Sequence, residues 1–370
     1  MTTIVKGCKE LFNEVIDNNL CVYCGACSGG CPYLVPYKGR MILMDNCTLS
    51  DGQCYHYCPR TYIDMDATSH AIFGMPYSEQ EVGTFKEIFI ARSISPRIRE
   101  RSQYGGTVTA LVTLAMKEGV IDKAILTRTN RDKIPEPVLV QNEDDVLQCA
   151  TSSYMACPVI EQFNKIPREY DFNVGIVTTP CQGLALSKMK QQPPENRFSI
   201  HNMKLIIGLF CTWALSIDKF HNFLLKTLNL PLVKKFDIPP PPENVFNAYT
   251  PSDKISLSLN EVRKYTMPTC AYCLDMTSEF ADISVGAAEG IEGWNTVITR
   301  TEFGAELIET ARLKRELEVK SMPRQNLAHL KEAALIKKKR ALGEIVKRTG
   351  DRKNLLYIGL STEIVNKLLS

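Results

Sequence analysis

The chain lacks any long apolar run, any leader-like segment and any dominant charge. Its most apolar stretch, Leu205 to Ile217, falls well short of the roughly 20 residues that cross a bilayer and reads as a buried strand and its sequel. Residues 1–18 carry charges throughout and have no apolar centre, which argues against secretion and for a cytoplasmic protein with reduced cysteines. A net charge of +3 selects no partner by electrostatics. The five histidines (His56, His70, His201, His221 and His329) form no motif, so no general acid or base is named and the catalytic side chains are unknown. At 370 residues and 44% hydrophobic content, the chain is long enough for two or three domains.

Cysteine, by contrast, is abundant: there are 14. Cys21, Cys24, Cys27 and Cys31, followed by Pro32, form the C-x2-C-x2-C-x3-C-P run of a bacterial ferredoxin, and the run continues with Cys47, Cys54, Cys58 and Pro59. Three thiols two residues apart, then a fourth and a proline, suit an iron-sulfur cubane whose corners each need a thiolate better than they suit zinc. In two-cluster ferredoxins the fourth cysteine of each run crosses to the other cluster. Cys21, Cys24, Cys27 and Cys58 are therefore expected to hold one cluster, and Cys31, Cys47 and Cys54 to contribute to a second. The second run departs from the pattern, because its middle cysteine falls on Asp51. Three arrangements stay open: a 4Fe-4S cluster with Asp51 as an oxygen ligand, a 3Fe-4S cluster on three thiolates, or a cubane with its fourth ligand elsewhere. Asp51-Gly52 also reads as plain turn chemistry. Cys8, Cys149 and Cys157 have no partner at useful spacing and read as core or surface residues.

From about Lys86 the texture changes to apolar runs alternating with helical patterns, which predicts a second domain of α/β or α+β type with a boundary between 75 and 90. Residues 107–119 read as a helix, 120–126 as a strand, 173–177 as a strand ending near Cys181, 184–190 as a helix, and 205–210 as a strand before Cys211. Cys181 and Cys211 thus follow the carboxyl ends of strands, where open α/β sheets place ligands, although each alone reads as a buried thiol. Cys270 and Cys273 form a C-x-x-C pair, and 282–286 reads as a further strand. Four prolines at 239–242 make a stiff connector. The stretch from Arg312 to Arg352 has helical spacing and is basic at 337–340. It reads as a solvated face or a docking face for a partner subunit, and it lacks the interleaved aromatics of a nucleic-acid site.

Several local patterns in order resemble the β subunits of coenzyme F420-reducing hydrogenase, F420H2 dehydrogenase and F420-linked formate dehydrogenase: Gly105-Gly106-Thr107-Val108-Thr109, Pro180-Cys181-Gln182, Gly208-Leu209-Phe210-Cys211, Cys270-Ala271-Tyr272-Cys273 with Asp275, Ala281 to Gly286, and Gly293 to Thr301. The resemblance covers nearly all of residues 86–345, and the fused ferredoxin segment looks most like the dehydrogenase-type members. It implies FAD, a third iron-sulfur cluster on Cys181, Cys211, Cys270 and Cys273, and coenzyme F420 as a substrate stacked on the flavin. The predicted architecture is a ferredoxin-like domain at 1–85, a mixed α/β flavin and iron-sulfur domain at 86–310, and a helical segment at 311–370.

Flavin contacts are expected from Gly105, Gly106, Thr107 and Thr109, where a glycine turn admits phosphate to a helix start. Ser152, Ser153 and Tyr154 are expected to add to them, with Asp282, Ser284 and Gly286. Lys264 and Arg300 are candidates for the acidic tail of the substrate, and both also read as surface charges; Trp294 also reads as a core aromatic. The expected partners are redox subunits of a membrane dehydrogenase complex, a formate dehydrogenase, a hydrogenase or a heterodisulfide reductase-like protein. Other readings are a relative that uses NAD(P)H, ferredoxin or a chlorophyll-type substrate, and a non-catalytic cluster-bearing subunit.

Overall fold

The computed structural model describes residues 5–191, 200–240 and 243–370. Pro241 and Pro242, half of the proline connector, lie outside the described residues.

An eight-stranded mixed sheet organises the chain, in the spatial order Leu317–Ser321, Glu87–Ser93, Asn295–Thr299, Ile283–Ala287, Met203–Leu209, Val174–Thr178, Lys123–Thr129, Pro135–Val140. The four strands from 283–287 to 123–129 run parallel, and the strands flanking them pair antiparallel. Parallel strands need cover on both faces. Alternate side chains accordingly enter two cores: Ala124, Leu126, Leu205 and Ile207 pack under helices Thr107–Lys117 and Glu302–Leu313, whereas Ile125, Ile176 and Ile206 pack under Val159–Asn164 and Pro180–Gln191. A small antiparallel sheet (Lys235–Asp237, Val245–Tyr249, Lys254–Ser258) sits with helix Ile217–Thr227 over a third core.

The N-terminal cysteine segment is built into this body. Val22, Cys24, Ala26 and Tyr57 join the second core, and Asn164 Nδ2 donates to the carbonyls of Gly25, Ala26 and Ser28. The far C-terminus returns to the same segment: Ile358–Gly359 pairs parallel with Ile63–Asp64, and helices Arg324–Thr349 and Thr362–Leu369 enclose Ile63, Met65 and Tyr77. The stretch read as helical from Arg312 onward contains the edge strand 317–321 before its long helix begins. Its basic run is not a solvated face throughout. Lys337 and Lys338 are buried, the second paired to Glu279 at 2.8 Å with Tyr77 Oη beside it.

Candidate functional site

Three groups of thiols lie in sequence through the molecule. Cys21, Cys24, Cys27 and Cys58 ring an apolar-walled hollow with Leu11, Val15 and Met41. Cys181, at the start of helix 180–191, and Cys211, just past strand 203–209, come together with Cys270 and Cys273 from a 3-10 turn. The third group contains Cys31, Cys47 and Cys54. The groups are neighbours: Cys21 and Cys24 lie within electrostatic reach of Cys181, and Cys27 within that of Cys54.

Backbone N–H groups are aimed at sulfur. Tyr23 donates to Cys21 Sγ at 3.4 Å, Arg60 to Cys58 Sγ at 3.4 Å and Ala214 to Cys270 Sγ at 3.3 Å. Burial pushes the Cys21 and Cys54 thiols up to about 12 and the Cys181 thiol up to about 11, so an unliganded sulfur here keeps its proton. Four convergent thiols with N–H donors and cations near them are the donor set an iron-sulfur cluster requires. The cations are Lys337, whose Nζ donates to Cys211 O at 2.6 Å and Asp275 O at 2.7 Å, and Lys188, whose Nζ donates to Cys58 O at 2.9 Å.

The expected flavin residues divide into two kinds. Gly106 adopts φ +73° immediately before helix 107–117, and a Cβ there would lie 2.7 Å from Ile98, so only glycine makes this turn. The turn meets the 152–154 segment across one stretch of chain: Gln103 bonds Asp237, Tyr104 Oη donates to Ile238 O, and Ile238 N donates to Tyr154 Oη at 3.0 Å. Asp237, which the sequence reasoning did not single out, is thus the junction of the two segments; a lone aspartate at a strand end carries no spacing signal. Ser152 and Ser153, next to Tyr154 in the chain, are half-buried. Thr107 and Thr109 point inward; the Thr107 N–H donates to Asn295 Oδ1 and its hydroxyl to Ala91 O.

Asp282, Ser284 and Gly286 also serve the fold rather than an open site. Asp282 accepts from Ile206 N and Thr301 Oγ1, both at 2.8 Å; Ser284 donates to Ser278 O and accepts from Arg300 Nε; Gly286 leaves room for the Phe210 ring, which a Cβ would approach within 2.0 Å. Arg300 corrects the expectation of a surface cation for an acidic tail. It is buried, and its guanidinium donates to Ser284, Val82, Thr84 and Thr277. Lys264 is exposed and paired with Glu261 at 2.7 Å. Trp294 is a core aromatic, with the Arg92 guanidinium and Lys320 Nζ each 4.6 Å from its ring.

Parallel strands with cysteines beyond their carboxyl ends, joined to a ferredoxin-type cysteine loop, define an oxidoreductase subunit built for electron transfer. Residues 88–164 match the N-terminal part, and residues 171–325 the C-terminal part, of the coenzyme F420 hydrogenase/dehydrogenase beta subunit. The chain belongs to that family. The beta subunit of coenzyme F420 hydrogenase from Methanothermobacter thermautotrophicus is 33% identical over 234 residues, 62% of this chain and 82% of that protein. One of the F420H2 dehydrogenase subunits of Methanosarcina mazei is 28% identical over 324 residues, 85% of this chain and 88% of that one. A chain of the F420-reducing NiFe hydrogenase complex of Methanosarcina barkeri superposes with a TM-score of 0.68 at 28% identity, covering 73% of this chain and 94% of its own length.

Proposed function

We propose that this chain takes a hydride from reduced coenzyme F420 at a bound FAD and passes the electrons singly, through iron-sulfur clusters on its cysteine groups, to a partner redox subunit. When bound, a flavin accepts two electrons together and yields them one at a time, and each cluster carries one. The observation that carries the reading is a continuous line of contacts between the two expected sites. The Gly105-Gly106 turn reaches Tyr154 through Asp237 and Ile238, Tyr154 O accepts from Leu215 N, and the adjacent Ala214 N donates to Cys270 Sγ.

In this arrangement the chain's own residues bind and orient. The glycine turn lets backbone approach a pyrophosphate, while Ser152, Ser153 and Tyr154 wall the flavin. Cys181, Cys211, Cys270 and Cys273 hold the cluster nearest to it, and Lys337 offsets the negative charge of those sulfurs. The names of the relatives favour F420 as the donor. Their designation as subunits of a hydrogenase, a dehydrogenase and a formate dehydrogenase favours a partner redox subunit of that kind, with a heterodisulfide reductase-like protein or a membrane dehydrogenase complex as further candidates. No helix among the described residues is long and apolar enough to cross a membrane.

The test is absorbance of the anaerobically purified chain during addition of reduced F420, with NADH and NADPH in parallel. Flavin and cluster bands should bleach with reduced F420 alone. Bleaching by a nicotinamide, or by none of the three in a protein containing FAD, would remove F420 as donor; a protein that holds clusters but no FAD would be a bare electron relay.

A further inference from the structure

We infer that Cys8 is the fourth thiolate ligand of the second ferredoxin-type cluster, completing a Cys8, Cys31, Cys47, Cys54 set, and that Asp51 is not a ligand. The inference rests on the proposed iron-sulfur reading and extends it to a residue that no ferredoxin spacing marks.

Cys8 opens the short helix Cys8–Leu11, and Cys54 lies in the short helix Gln53–His56. The two are locked side by side. Gly52 N donates to Lys6 O at 3.1 Å, and a Cβ on Gly52 would lie 3.1 Å from Cys54 Sγ and 3.4 Å from Gly7 Cα. Lys6 Nζ and Glu14 clamp the Tyr55 hydroxyl at 3.0 and 2.5 Å from either side of Cys8 in the chain. Cys8 is 4% exposed and packs in one cluster with Cys31, Cys47 and Cys54, a cluster that also takes in Cys21, Cys27 and Cys58 of the neighbouring group. The four thiols are near neighbours: Cys8 lies within electrostatic reach of Cys47 and Cys31, and Cys54 within reach of Cys8, Cys31 and Cys47. Cys149 and Cys157, the other two cysteines without a spacing partner, pack instead against the two sheet cores.

Asp51 faces the other way. Its carboxylate is 2.7 Å from His56 Nε2, with 53% of the side chain exposed. A carboxylate held by an imidazole at the surface competes poorly with a buried thiol for iron, whose clusters are held by thiolates. With a cluster bound, Cys8 Sγ would have given its proton up to solvent, and the set would supply four thiolates with no need of an oxygen donor.

The test compares Cys8→Ala and Asp51→Ala with the parent, using the full chain purified and reconstituted without oxygen. Iron and sulfide are assayed, and EPR spectra are taken after mild oxidation. If every group holds a cubane, the parent carries about 12 irons. Cys8→Ala is expected to lose from about one to about four of these, with a 3Fe-type signal where one is lost, and Asp51→Ala to match the parent in both readouts. Should Cys8→Ala fail to fold, Cys8→Ser is read in the same way. Full iron and no new signal in the Cys8 variant, or iron loss in the Asp51 variant, would overturn the assignment. A parent chain that binds no iron and sulfide would instead sink the iron-sulfur reading as a whole.

Discussion

Cys24→Ser is expected to remove about a third of the iron, roughly four of 12 atoms, and to abolish transfer from reduced F420 to an external one-electron acceptor while flavin bleaching persists. The reason is position. The Cys21, Cys24, Cys27, Cys58 group lies between the other two, close to Cys181 on one side and Cys54 on the other, so its loss separates the Cys181 group from the outer thiols. Serine keeps the size of the 6% exposed side chain, and the carbonyl of residue 24 still accepts from Ile160 N at 3.0 Å, so the loop stays anchored. Iron analysis and stopped-flow absorbance with an artificial acceptor decide the matter. Undiminished transfer in a protein short of iron would mean that electrons leave at the Cys181 group and bypass the ferredoxin segment.

Arg300→Met should cost about 3 to 5 kcal/mol of folding stability, the range for removing one member of a buried charged set. Burial draws the guanidinium below its ordinary range, and the carboxylates of Asp275 and Glu279 counter that pull. The guanidinium also satisfies the carbonyls of Val82, Thr84 and Thr277. Methionine fills similar volume but leaves those acceptors bare and two acidic side chains short of a counter-ion. Urea unfolding followed by circular dichroism gives the number, and a midpoint equal to that of the parent would mean that this network contributes nothing net. Because the domain cysteines hang from the same region through Asp275, whose carboxylate accepts from Ser278 N and Glu279 N at 2.8 Å, lower iron occupancy should accompany the loss.

Much of this protein could be read from neighbouring residues. Strands and helices around Cys181 appear within a few residues of their expected positions, because apolar runs and 3.6-residue periodicity are local signals. The family likewise follows from a series of short patterns, and the comparisons bear it out. Charge, by contrast, was misleading where burial decided its role. Nothing in the run 337–340 distinguishes Lys337 and Lys338, which enter the interior to meet Cys211 O and Glu279, from the half-buried Lys339 and the exposed Arg340. Arg300 is the same case, since its partners at 82, 84, 277 and 284 converge only once the strands at 283–287 and 295–299 are paired.

The sequence by itself determined that this chain carries a ferredoxin-type cysteine loop, because a C-x2-C-x2-C-x3-C-P run presents its thiols from a single short turn and requires no distant contact to be recognised. Tertiary structure decided how thiols far apart in the chain approach one another and where Cys8 lies among them, since the ferredoxin pattern already groups Cys58 with the first loop and the family resemblance already groups the four domain cysteines. Cys8 stands 39 positions before Cys47, a separation bridged by the 6–52 backbone contact and the Tyr55 clamp. Cys181, Cys211, Cys270 and Cys273 meet because two parallel strands end side by side beneath a 3-10 turn. Contacts of that kind arise from packing the whole chain, and no spacing along it records them.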